Sequence, residues 1–268
     1  DVYKRQVMNS SMTEKRFNEL IDRAEQIYDP VVSAKGASLT INRKWTDGTV
    51  NAQAYQEGNK WYVDMFGGLA RHQEITDDGF LVVVCHEIGH HLGGAPKYSS
   101  NPWATNEGGS DYFSSLKCLR HIFKNDDNEA IVKGMTVPEE AKARCEKNWP
   151  RIEDQYLCQR ISMAGMSTAR LMWKLGGSGQ APDFAKPDPS QVSRTSDSHP
   201  AAQCRLDTYF NGGLCQVDKE KTLDDRDPKV GACYEGDGLN DGYRPRCWFK
   251  PEGTTNPNPN PNPNPNPN

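Results

Sequence analysis

The sequence predicts an α+β fold: a small, largely antiparallel sheet packed on one buried helix, with further helices around it. Two observations carry this. Three short segments rich in β-branched and aromatic residues follow one another between residues 38 and 66, separated by turn signals. Shortly after them, Thr76 to Leu92 is apolar on nearly every side, which marks a helix buried all round.

The elements follow in chain order. Phe17, Leu20, Ile21, Ala24 and Ile27 recur at helical spacing, so Thr13 to Tyr28 reads as an amphipathic helix, capped by Thr13 and closed before Pro30. Ser38 to Trp45, Gly48 to Tyr55 and Lys60 to Phe66 are the expected strands. Asp47-Gly48 and Glu57-Gly58-Asn59 are hairpin signals, hence the expected antiparallel meander. In the central helix Asp77 and Asp78 favour the start, and Gly93-Gly94 with Pro96 end it. Asn106 to Phe123 and Ile152 to Leu175 read as two more helices. Gly, Pro, Ser and Asp between Gly176 and Pro200 mark a long loop.

The 268 residues carry 32 Lys+Arg against 36 Asp+Glu, a net charge of -4, which suits one domain with appendages. That balance lacks the basic stripe of a nucleic-acid binder, so no nucleic-acid partner is expected. The longest apolar run, Phe80 to Cys85, is far short of the roughly 20 residues a spanning helix needs, so no transmembrane segment is expected. Residues 1–6 (DVYKRQ) read as a cloning or assembly scar. Residues 251–268, mostly a strict Asn-Pro alternation, read as a disordered tail. The eight cysteines form an even, dispersed set without CxxC spacing, which fits disulfides in an oxidising, secreted or periplasmic setting. Cys204, Cys215, Cys233 and Cys247 are expected to make a local C-terminal cluster.

Within the central helix lies His86-Glu87-Ile88-Gly89-His90, an HExxH motif. Positions i and i+4 share a helix face, so both imidazoles can reach one metal while Glu87, one step round, reaches a water beside it. A catalytic zinc takes three protein ligands. Pro96 stands where a third histidine six residues on would be, so the third ligand is expected from Asn106-Glu107-Gly108-Gly109-Ser110-Asp111. Glu107 and Asp111 share a helical face: Glu107 as the ligand, Asp111 as the acceptor that orients a ligand imidazole. The plainer reading of Glu107 is a first-turn acid, and the NExxSD string also reads as capping. His91 is expected to point off the ligand face, His72 and His121 to be surface or core residues, and Cys85 a packing residue or half of a disulfide.

HExxH followed by ExxxD resembles the gluzincin metallopeptidases and implies a zincin-like catalytic domain with one catalytic Zn2+. His199-Pro200 followed by Arg205 is similar to the His-Pro and downstream Arg of the M48 family, the HtpX-like group. The Asn51-Ala52-Gln53-Ala54 segment ahead of Gly67-Gly68-Leu69 also resembles that family's core. The resemblance spans about Thr13 to Phe210. It implies a metalloendopeptidase at residues 7–210 with a Cys-rich extension at 211–250, acting on a peptide or protein substrate. By the same resemblance, Glu87 is general base and acid, His199 hydrogen-bonds the oxyanion, Arg205 buttresses the loop carrying His199, and Asn51 to Ala54 form the edge strand beside the cleft. The alternatives are a thermolysin-like gluzincin peptidase, which the NExxSD form resembles, and a non-catalytic binding module stabilised by zinc or disulfides.

Overall fold

The computed structural model describes residues 11–176, 179–239 and 241–253; Asp1 to Gln6 and the Asn-Pro run lie outside them. The first helix, α1 (Glu14–Ser33), is capped by Thr13, whose hydroxyl accepts from the Arg16 N–H. It buries Phe17, Leu20, Ile21, Ala24 and Tyr28 on one face. It does not stop before Pro30: full burial of Val32 holds a last turn that lacks one N–H donor.

The sheet comprises β1 (Ser38–Lys44), β2 (Ala52–Glu57) and β3 (Lys60–Phe66) in the order β1-β3-β2. β2 and β3 form the expected hairpin, with Gly58 at φ 62 in its two-residue turn. β1, however, pairs with β3 in parallel, so the sheet is mixed and not a meander. Asp47-Gly48 turns the chain without folding it back. The loop docks instead on α2 (Gly67–Ala70), where Gly68 N–H donates to the Asp47 carbonyl and Leu69 N–H to Thr49. A Cβ on Gly68 would sit 2.2 Å from the Gly48 oxygen, so the docking requires glycine there. β2 therefore begins at Ala52 and lies at one edge.

Ile41, Val63 and Ala54 form one row across the sheet and pack into the core against α1 and α3 (Asp77–Leu92). α3 opens on Thr76, whose hydroxyl accepts from Gly79 N–H, and every residue from Gly79 to His91 is buried. Asp77 and Asp78 in its first turn are held by Arg16 at 2.6 Å and Arg160 at 2.8 Å. The expected helix from 106 to 123 is α4 (Glu107–Phe113), a π-helical turn (Ser114–Cys118) and α5 (Leu119–Phe123). Next come α6 (Asn128–Lys133) and α7 (Glu139–Asn148), which the hydrophobic pattern does not reveal, because α7 buries only Ala141 and Cys145. α8 (Ile152–Gly176) packs against both α3 and α9 (Ala202–Leu214).

α9 runs through residue 210, so the expected boundary between catalytic domain and extension falls inside a helix. The later segment is integrated: buried Trp248 donates to Thr208 on α9 and packs with Tyr112 of α4. All eight cysteines are paired: Cys204–Cys247 and Cys215–Cys233 form the expected C-terminal cluster, Cys145–Cys158 joins α7 to α8, and Cys85–Cys118 joins α3 to the π-helical turn. No helix among the described residues is long and apolar enough to cross a membrane.

Candidate metal centre

α3 and α4 meet closely because Gly89 has no side chain. A Cβ there would lie 3.0 Å from Ser110 Cα and from the Phe113 ring. The approach brings His86, His90 and Glu107 together, with ligand atoms within 4.8 Å of one another and all three side chains buried. The two rings stand nearly perpendicular, at 86°.

The hydrogen bonds prepare these groups for a cation. His86 Nδ1 lies 2.7 Å from Asp111 Oδ1, and His90 Nδ1 lies 2.8 Å from the Thr105 carbonyl and 3.0 Å from Ser110 Oγ. Each Nδ1 thus carries a proton, which leaves each Nε2, the ring atom nearer Glu107, as the one that would bind a metal. His86 Nε2 lies 3.2 Å from Glu107 Oε2 and His90 Nε2 lies 3.9 Å from Oε1. Glu107 Oε2 is buried without a hydrogen-bond donor among the described residues. Two imidazoles and a carboxylate oriented in this way fit a divalent metal.

Asp111 is the hub behind the ligands. Besides His86, its Oδ1 accepts from Arg205 at 2.7 Å and from the Tyr209 hydroxyl at 2.7 Å. Arg205, expected to buttress the loop carrying His199, gives its Nη2 to Asp111 and its Nε to the Tyr209 hydroxyl. That loop is held by motif residues and their neighbours, with Asn106 donating to the Ser196 carbonyl and Ser99 donating through both N–H and hydroxyl to Asp197. Asn106 also caps α4 by accepting from Gly109 N–H, so the capping reading of this string holds, with Glu107 in the first turn.

The electrostatics follow from burial and neighbours. Burial opposes charging His86, but Asp111 and Glu107 overcome it and carry its pKa up to about 10; the same two acids would favour a bound cation. Burial and His86 together push His90 down to about 4. Glu107 and Asp111 stay below the usual carboxylate range despite burial, Glu107 through His86 and Asp111 through Arg205 and His86. Burial pushes Glu87 up to about 7, against the attraction of His86.

A cleft of ≈ 430 Å³ opens over this site. Val50, Asn51 and Ala52, His86 and Glu87, and His199 to Ala202 are among the residues that line it. His199 Nε2 lies 3.0 Å from Glu107 Oε2 on a largely exposed side chain. Of the expected edge segment only Asn51 and Ala52 reach the cleft. Asn51 precedes the strand, and the Gln53 amide turns to Asp64 on the other face of the sheet, at 2.7 Å. A larger cleft, ≈ 510 Å³, lies among Arg120, Trp149 and Asp154 and holds none of the motif residues. The other grouping of ligand types, Asp188 with Cys204 and Cys247, is not a metal site, because its two sulfurs are bonded to each other.

Tyr98, Thr105, Ser110 and Tyr209 belong to the site and are not among the residues read from sequence. Tyr209 had a signal, lying four residues after Arg205 on the same face of α9. Thr105 acts through its carbonyl, which no side-chain pattern encodes. His91 points off the ligand face as expected, stacked between Trp61 and Trp103 at 5.1 Å from each.

The fold and site define a disulfide-linked α+β protein with a candidate metal-binding triad. Comparison with known protein families, curated proteins and solved structures finds no match to this chain.

Proposed function

We propose that this protein is a zinc-dependent endopeptidase of the gluzincin type, with an M48-like zincin arrangement. One observation carries the reading: His86, His90 and Glu107 converge, and the first of them lines an open cleft together with Glu87. When bound, a catalytic zinc supplies a water brought toward a pKa of about 7 and a Lewis acid for the scissile carbonyl.

The chain's residues account for the rest. Glu87, with a pKa raised to about 7, can take a proton from the attacking water and return it to the leaving amine near neutral pH. His199 lines the same cleft 3.0 Å from Glu107, which supports a role in hydrogen-bonding the oxyanion that develops at the carbonyl. Its position supports the M48-like arrangement over the thermolysin-like one. Asp111 fixes the tautomer of His86, and Arg205 with Tyr209 fixes Asp111. A structural metal site closed by four protein ligands would need neither Glu87 nor the cleft. Four disulfides support a secreted or periplasmic setting.

The test pairs metal analysis with hydrolysis of an unstructured protein by wild type and Glu87→Ala. About one zinc per chain and loss of cleavage in the variant are expected. Equal cleavage by both proteins removes Glu87 from its role, and a chain that binds no zinc removes the site.

A further inference from the structure

Another cavity, separate from the metal centre, has no place in that chemistry. It measures ≈ 320 Å³, within the small end of the range for small-molecule sites. Its walls come from α1, the end of α3, α4 with the π-helical turn, and the segment Lys219 to Leu223. Ile27, Val31, Leu92, Phe113 and Leu223 make them apolar. Val31 is 41% exposed at its edge, one of few large apolar side chains left in solvent.

Lysines dominate the polar groups. Lys35, Lys117, Lys219 and Lys221 line the cavity against a single acid, Glu220, in a chain whose net charge is -4. Glu220 is already engaged, 3.5 Å from Lys219 and 3.8 Å from His121. Lys117 is only 4% exposed, a rare position for an ammonium. Among the described residues it makes one hydrogen bond, to the Asp218 carbonyl at 2.7 Å, and an ammonium has three donors. Burial, aided by Arg120, holds its pKa down to about 8, so it is charged at neutral pH with little compensation. The Tyr28 hydroxyl is likewise buried with no hydrogen-bond partner among the described residues, although Tyr28 forms part of the wall. A buried donor without an acceptor costs about 1–3 kcal/mol. Lys117 itself sits on the π-helical turn, a distortion that recurs at functional sites.

We propose that this cavity binds a small amphiphilic anion, an alkyl or aryl carboxylate whose apolar body lies on Ile27, Val31, Leu92 and Phe113 and whose headgroup meets Lys117. The apolar walls explain the body, and the excess of lysines over acids explains the charge. The occupant is a free molecule, not a headgroup in a bilayer, because Lys117 is recessed below the surface. This proposal does not depend on the peptidase reading.

The experiment is calorimetric titration of the whole protein with decanoate below its micelle concentration, with decanol as the uncharged control. Decanoate is expected to bind at least about tenfold more tightly than decanol. Val31→Asp, at an exposed position that spares the fold, and Lys117→Met are each expected to weaken decanoate by about tenfold or more. Equal binding of decanoate and decanol overturns the anion assignment. Binding that survives Val31→Asp and disappears when metal is removed places the carboxylate at the metal centre and overturns the site. Phosphatidylglycerol vesicles that bind where monomeric decanoate does not overturn it in favour of a lipid surface.

Discussion

The Tyr98 hydroxyl donates to Glu107 Oε1 at 2.5 Å, while Glu107 Oε2 faces His86 Nε2. The phenol thereby fixes which carboxylate oxygen is turned toward the metal position. Burial and the neighbouring Glu107 charge both raise the Tyr98 pKa, so the hydroxyl stays protonated and remains a donor.

From that contact, Tyr98→Phe is expected to weaken zinc binding about 10- to 100-fold, the usual cost of losing a group that orients a ligand. Competition with a chromogenic chelator reads this directly, whatever the activity. Unchanged zinc affinity with an intact fold would show that Glu107 needs no such hold.

The legibility of this site follows the range of its interactions. His86, Glu87 and His90 are fixed by helical spacing alone, and Glu107 and Asp111 by the same rule on the next helix, so sequence periodicity exposes them. Tyr98 lies in an irregular segment between the two helices, where no period exists to mark it. The parallel pairing of β1 with β3 was hidden for a different reason. Asp47-Gly48 has the chemistry of a hairpin turn, but a tertiary contact with Gly67 and Gly68 decides where that turn leads. Arg205 is named by the family resemblance alone, and its bond to Asp111, 94 residues away, has no local signal. α7, apolar on so narrow a face, gives no helical period to read.

Cys85 adjoins His86, and its disulfide to Cys118 ties α3 to the turn that follows α4. Replacing both by Ala is expected to lower the unfolding free energy by about 2–5 kcal/mol, measured by denaturant titration. Both sulfurs are fully buried, so the loss adds a packing defect to the lost crosslink. A change below about 0.5 kcal/mol, the range of an ordinary surface substitution, would show that packing alone holds the two helices together.

Asp207 is 9% exposed, and burial raises its pKa from 3.8 to about 6 although Asp188 N–H and Gln203 donate to it. The folded state therefore holds a proton there that the unfolded chain releases. Its stabilising effect is complete below about pH 4 and is lost as pH rises through about 6. Stability is expected to fall over that window, and Asp207→Asn to remove a total change on the order of 2–3 kcal/mol. Denaturant unfolding of both proteins at several pH values across the window decides it; parallel curves would mean that Asp207 ionises normally in the fold.

The edge of the sheet supplies the last prediction. Glu57 and Lys60 flank the two-residue hairpin turn and form its closing hydrogen-bonded pair. Alternation from that pair directs the main-chain groups of Gln53 and Tyr55 to β3 and those of Ala52 and Ala54 to the open side. Ala52, which also lines the cleft, thus turns its N–H to the open side, where the proposed peptide substrate would add to the edge. Ala52→Pro deletes that donor without breaking a sheet bond, so the fold should survive and kcat/KM on peptides should drop about 3- to 10-fold, the worth of one hydrogen bond. Gln53→Pro would instead remove a bond within the sheet and lower the melting temperature. If Ala52→Pro cleaves every peptide as well as wild type, substrates do not pair with β2, and the cleft must hold them by side chains alone.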